Sequence, residues 1–249
     1  MYFESRAQAG QMLAVELLDK YRYENCAVVA LTDGAVLVAE QIASSLHCVL
    51  MMLLTEDIQV PGEDLSFGAI SQDGGFTYNG MFSTGEIEEY VSEFHGYLDE
   101  QKREAFQKIN RLLGDGGLID SSLLRDHVVI LVSDGLDNGA SIDVAIDYMK
   151  PIKVSRLVVA TPTASVQAVD RLHVLADELH ILDVKENFMG VDHYYNQNVI
   201  PSHEETIAKI NQIVLNWRWP RRSEKCRIKS NKWVSLVVKG IHVRRFYYI

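Results

Sequence analysis

Apolar positions repeat with two periods along the chain, and the periods alternate. Short apolar runs at Ala27–Leu31, Cys48–Leu54, Val128–Val132, Val154–Ala160 and Glu178–Leu182 predict strands, the first of them buried and Val128–Val132 buried on both faces. Stretches with helical spacing lie around and between them. Ser5 caps a helix to about Tyr21 with Met12, Leu13, Leu17 and Leu18 inward. An alanine-rich helix runs from Ala35 to Leu46 after Thr32-Asp33-Gly34 breaks the first strand. Ser83 with Glu86 forms a capping box for a long charged helix to about Leu113, and Gly114-Asp115-Gly116-Gly117 stops it. Ile142, Ala145, Ile146 and Met149 predict the helix after the central strand, and Ser165–Leu175 the next. Ser202 and Glu205 form a second capping box, for a helix ending near Trp217. Strands alternating with helices predict an α/β fold with a doubly wound, mostly parallel sheet and right-handed crossovers.

Residues 55–83 break that rhythm. Thr55-Glu56-Asp57 is read as the end of the second strand. Phe67-Gly68-Ala69-Ile70 and Phe76-Thr77-Tyr78-Asn79 flank Ser71–Gly75 as a small hairpin insertion. Residues 185–200 form an irregular aromatic stretch that includes Phe188, Tyr194 and Tyr195.

Charge divides the chain further. The 249 residues carry a formal −10, but residues 217–249 carry +9 and the other 216 carry −19. The expected division is a domain at 1–216 and a basic C-terminal extension at 217–249, as a hairpin or disordered. Four readings of that extension stay open: a strap on its own acidic domain, a poorly ordered segment, a reading-frame artefact and, last, an RNA-binding arm. The acidic body argues against nucleic-acid binding. Cys26, Cys48 and Cys226 have no pairing or metal spacing, and the eight histidines show no ligand spacing. No signal-peptide pattern or membrane-length apolar run is present, so the expectation is a soluble, cytoplasmic protein. The charged side of the long helix reads as a solvated face first and a homodimer contact second.

The chemistry is expected at Ser133-Asp134-Gly135-Leu136-Asp137-Asn138-Gly139-Ala140-Ser141. A polar, glycine-containing loop between a buried parallel strand and a helix places a ligand at the sheet's carboxyl edge, with backbone N–H groups favouring an anion. An acid there, Asp134, leans functional. Asp33, just before a helix, is read as an N-cap ahead of a cation-steering group. Asp33, Glu56, Asp57, Asp134 and Asp137 are expected near one another, as a water-filled acidic cleft or one that could hold Mg2+ or Ca2+. Tyr194 and Tyr195 read equally as base-stacking or core residues.

Several of these motifs together resemble the type I phosphoribosyltransferases, and most of all a bacterial group known as predicted phosphoribosyltransferases. Phe3-Glu4-Ser5-Arg6 with Ala9-Gly10 resembles that group's opening. Leu31-Thr32-Asp33-Gly34-Ala35-Val36 sits where the family has its pyrophosphate loop. Phe67–Ile70, Asp177-Glu178 and Gly190–Tyr195 match further segments, so the likeness covers residues 3–210. It implies a sugar donor, phosphoribosyl pyrophosphate (PRPP), usually with Mg2+. Ser133, Asp134 and Gly135 then lie at the ribose, Asn138, Gly139, Ala140 and Ser141 at the 5-phosphate, and Thr32, Asp33, Gly34 and Ala35 at the pyrophosphate. Asp134 is the candidate metal ligand. Asp137 matches the acid that faces N7 of a purine in salvage members, so it is the candidate catalytic acid/base.

The departures from the family share a direction. Ser133 replaces the first of two acids, Asn138 replaces Thr, and Asp33 and Glu56-Asp57 stand where cations are expected. One unit charge pair at about 4 Å is worth roughly 1 kcal/mol in water and about 4 at an effective dielectric near 20, so an Arg-to-Asp reversal swings about twice that. Three functions follow in order. First comes a phosphoribosyltransferase-fold protein with transfer impaired or lost, acting as a nucleotide- or base-binding or regulatory module. Second is a Mg-dependent, atypical transferase acting on a purine-like base, and third a cation-binding or scaffolding protein.

Overall fold

The computed structural model describes residues 1–62, 65–113, 119, 121–137 and 140–213. The basic extension, the Gly114–Gly117 stop and the Asn138-Gly139 pair lie outside them.

Five strands make the main sheet: β1 (Cys26–Ala30), β2 (Val49–Met52), β6 (Val128–Val132), β7 (Arg156–Ser165) and β8 (Glu178–Lys185). Their order is β2-β1-β6-β7-β8, and every neighbouring pair is parallel. The unbroken apolar runs of β1 and β6 have a simple cause. Successive side chains point to opposite faces, and both faces are covered. Val28, Ala30, Ile130 and Val132 pack on one side with Leu13 and Leu17 of α1 (Arg6–Tyr21) and Val38 and Ile42 of α2 (Asp33–Leu46). Ala27, Val29, Val129 and Leu131 pack on the other with Ile142, Ala145 and Met149 of α4 (Ala140–Met149) and Leu172 of α5 (Val166–Leu175). Each fully buried Leu or Ile in these layers contributes roughly 2 kcal/mol.

The strand order places the site. After β1 the chain crosses on the α2 face, and after β6 it crosses on the α4 face. The crevice outside the carboxyl ends of β1 and β6 is therefore the topological switch point of the sheet. Thr32-Asp33-Gly34 and Ser133-Asp134 leave the sheet there.

Two expectations are corrected. Thr55–Asp57 does not end β2; it opens β3 (Thr55–Gln59), which pairs antiparallel with β4 (Ser66–Ser71), and β4 with β5 (Phe76–Tyr78). The insertion is thus a three-stranded sheet. Only Ile58 of β3 is buried, so its edge position leaves little apolar signal. β7 runs beyond Ala160 to Ser165. Thr161 and Thr163 read as polar but are buried, and Pro162 lies past the last β6 partner, Val132↔Ala160, where its missing N–H costs no ladder bond on that side. The last helix, α6, is described over His203–Asn211, and its expected end near Trp217 lies outside the described residues.

The insertion is latched to the main sheet's helices. Thr77 Oγ1 donates to Asp147 Oδ2 at 2.8 Å, and Arg171 of α5 reaches both Asp143 of α4 (2.6 Å) and Asn79 Oδ1 (3.2 Å). α3 (Thr84–Leu113), capped by the Ser83–Glu86 box, bends at Phe94 and packs on β3 and β4.

Candidate functional site

Thr32 starts α2. Its backbone is extended, and its hydroxyl accepts from the Ala35 N–H at 2.9 Å while donating to Asp134 Oδ1 at 3.0 Å. Thr32, and not Asp33, is therefore the N-cap. One hydroxyl satisfies a helix terminus and a carboxylate together, which Asp33 could not do. The Asp33 side chain instead meets His203 Nδ1 at 3.2 Å, and the other ring nitrogen lies 3.3 Å from the Leu112 carbonyl oxygen.

Asp134 is the centre of the site. Its Oδ2 accepts from Arg6 Nε at 2.7 Å. Arg6 is the first residue of α1 and is 1% exposed. Its Nη2 lies 2.6 Å from Asp192 Oδ1, its Nη1 donates to Asn198 Oδ1 at 3.3 Å, and its guanidinium lies 4.6 Å from the centre of the Tyr195 ring. Burial works against the charge, but the bonds to Asp134 and then Asp192 outweigh it, and the Arg6 pKa rises. Tyr195 donates its hydroxyl to the Asp134 main-chain oxygen at 2.5 Å, and burial pushes its pKa up. Gly34 allows this approach: a Cβ there would lie 2.3 Å from Asp134 Oδ2 and 2.9 Å from Arg6 Nε.

The rest of the loop is held from behind. Ser133 Oγ donates to the Gly135 carbonyl at 2.8 Å. A Cβ on Gly135 would come within 3.0 Å of Val191, so the glycine lets the 189–198 segment close over the sheet edge. Leu136 bridges to Ala164, and Ser165 Oγ donates to the Asp137 carbonyl. The Asp137 side chain is exposed. Ala140 opens α4 and Ser141 follows it half-buried.

A cavity of about 510 Å³ results, lined by Arg6, Asp33, Gly34, Asp134, Asp192 and His193, with Met189, Val191 and Ile200 as its apolar part. That volume suits a small ligand. Of the predicted positions, Thr32, Asp33, Gly34 and Asp134 meet here. Glu56 pairs with Lys108 and Asp57 is exposed on β3, so the expected five-acid cluster is divided, most of its members drawn to bases of their own. Among the described residues no group of three or more His, Cys, Asp or Glu could hold a metal ion. With Asp134 bonded through both oxygens, and to a guanidinium through one, the side chains present do not fit a protein-held Mg2+. Tyr194 and Tyr195 are core residues.

Sequence reasoning missed Arg6, Asp192, Asn198 and His203 as site residues. Arg6 did carry a signal. It shares the inner stripe of α1 with Ala9, Leu13 and Leu17, and a cation in a helix's first turn opposes the dipole unless an acid awaits it.

No family model matches the chain. Two curated relatives from Mycobacterium tuberculosis, in strains CDC 1551 / Oshkosh and H37Rv, are both provisionally named phosphoribosyl transferase. Each is 26% identical over 215 residues, which is 84% of this chain but 46% of the relative, so the chain spans about half the length of the curated relatives it matches. The crystal structure of the protein TT1426 from Thermus thermophilus superposes with a TM-score of 0.65 at 28% identity, covering 87% of this chain and 99% of that one. No described helix is long and apolar enough to cross a membrane.

Proposed function

We propose that this chain, a type I phosphoribosyltransferase-like protein, has impaired or lost PRPP-dependent transfer and acts as a base- or nucleoside-binding or regulatory module. One observation carries the reading. Arg6, the one Arg or Lys lining the cavity among the described residues, is bonded to Asp134 and Asp192 rather than available to a diphosphate. Three carboxylates, Asp33, Asp134 and Asp192, line the same space. A diphosphate entering would be desolvated beside them, while a ring with hydroxyls meets Met189, Val191 and Ile200 without that repulsion. The Ala35 N–H, at the pyrophosphate-loop position, is already bonded to Thr32.

A second reading, an active transferase, has its own support: Arg6 brings a guanidinium to the floor of the loop where the sequence offers only Asp33. In that reading Asp134 holds ribose, Asn138–Ser141 the 5-phosphate, and Asp137 serves the base.

Calorimetric titration separates the two. With PRPP, with or without Mg2+, the expected result is no micromolar binding, whereas a purine base or nucleoside binds and Asp134→Ala weakens it. Micromolar PRPP binding that Asp134→Ala abolishes overturns the first reading in favour of the second.

A further inference from the structure

We propose that Asp192 is a resident anion: its carboxylate occupies the cavity-facing edge of Arg6, and a compact anionic group, phosphate or carboxylate, enters by displacing it. The inference rests on the reading above that this cavity is the ligand site.

The three edges of the Arg6 guanidinium are not equivalent. Nε is bonded to Asp134, itself buried and held by Thr32. Nη1 is bonded to the Asn198 side chain, whose own amide donates to the Asp192 main-chain oxygen at 2.9 Å. Nη2 alone meets a charged and exposed partner: the Asp192 side chain is 66% exposed while Arg6 is 1% exposed, whereas Asn198, exposed as well, is neutral. An ion pair with one solvated partner is weak, whereas a buried pair is costly to break. Displacement therefore takes Asp192 and leaves Arg6 seated on Asp134, which keeps a bonded guanidinium aimed into the cavity.

The local backbone suits that exchange. Asp192 sits in a single short 3-10 turn, Val191–Tyr194, entered through Gly190 at φ +92, with open space where a Gly190 Cβ would be. Its side chain can swing out while its main-chain oxygen stays bonded to Asn198. A tethered carboxylate competes at an effective concentration in the millimolar range or above, so a compact anion enters only where it outcompetes Asp192 for Arg6, while Asp33 and Asp134 still oppose a diphosphate. Asp33 and Asp134 set the background field for any anion there.

The test is direct binding of inorganic phosphate and of pyrophosphate, without Mg2+ and at low salt, to the full chain. Asp192→Ala is expected to bind pyrophosphate at least about tenfold more tightly than wild type. Asp33→Asn removes one negative charge from the same cavity without touching Arg6, and its gain stays below about threefold because the solvent screens it. Asp192→Asn keeps the polar contacts if the alanine variant folds poorly, and is expected to show the gain as well. Equal gains in the Asp33 and Asp192 variants, or no gain in a cooperatively folded Asp192 variant, overturn the proposal. Tight PRPP binding by wild type would defeat the functional reading instead, leaving the ratio between Asp192→Ala and wild type to decide this one.

Discussion

Two Arg–Asp clusters in this protein are built alike and behave differently. At the sheet edge, Arg6 meets Asp134 over Gly34; at the latch, Arg171 meets Asp143 over Gly80. In each a glycine lets the charged groups approach the backbone. Arg6 donates from each of its three nitrogens, and both Asp134 oxygens accept hydrogen bonds. Arg171 is 20% exposed, and its Nη2 lies 2.6 Å from the buried Asp143 carboxylate. Burial pushes the Asp143 pKa up to about 6 against the pull of Arg171. A cation at contact distance does not by itself offset the burial of a carboxylate; at Arg6 and Asp134 the further partners Thr32, Asn198 and Asp192 add to the pair.

The contrast can be broken most forcefully at Arg6. Arg6→Ala strands Asp134 and is expected to cost about 3–5 kcal/mol in urea unfolding, while Arg171→Ala, whose partner can take up a proton, costs about half that. The glycines sharpen the same point. Gly34→Ala drives a methyl against two pinned groups and is expected to cost about 2–3 kcal/mol. Gly80→Ala meets only the tip of Arg171, at 2.0 Å, which can move, and costs about 1 kcal/mol or less.

Acid titration probes the latch alone. Asp143 has a folded pKa of about 6 against 3.8 for the ordinary group, so the folded state holds the extra proton between those values. Stability from this group rises as pH falls from about 7 to 4 and is lost again as pH rises through 6. The expected change is about 1.4 kcal/mol, measured as the difference between wild type and Asp143→Asn in unfolding at about pH 7.5 and about pH 5. The cap gives a modest effect. Thr32→Ala loses the Ala35 and Asp134 bonds for about 1–1.5 kcal/mol, and Thr32→Ser recovers most of it.

Much of this architecture is legible in the chain. Val128–Val132 reads as a doubly buried strand and is one, because parallel strands covered on both faces need apolar residues at every position. Ser5, Ser83 and Ser202 announce their helices because capping is local chemistry. β3 is not legible, since an edge strand with one buried residue resembles a loop. At the site, Thr32, Gly34 and Asp134 are identifiable from their place after buried strands. Their pairing is not: the α1 stripe marks Arg6 as buried but not what it meets, and Asp192 and Asn198 lie far from Arg6 in sequence, a range that leaves no periodic trace. Asp33 reads as an N-cap from its place before the helix, but Thr32 takes that role, and His203, 170 residues on, meets the Asp33 side chain.

On the proposed reading, the protein's own acids hold the cation a diphosphate would need. A crystal soaked with PRPP and Mg2+ tests it most directly. Arg6 is expected to stay bonded to Asp134 and Asp192, with no ordered diphosphate beside Asp33 and Gly34. A well-ordered diphosphate against the Gly34 and Ala35 amides, with Asp192 still on Arg6, would contradict it.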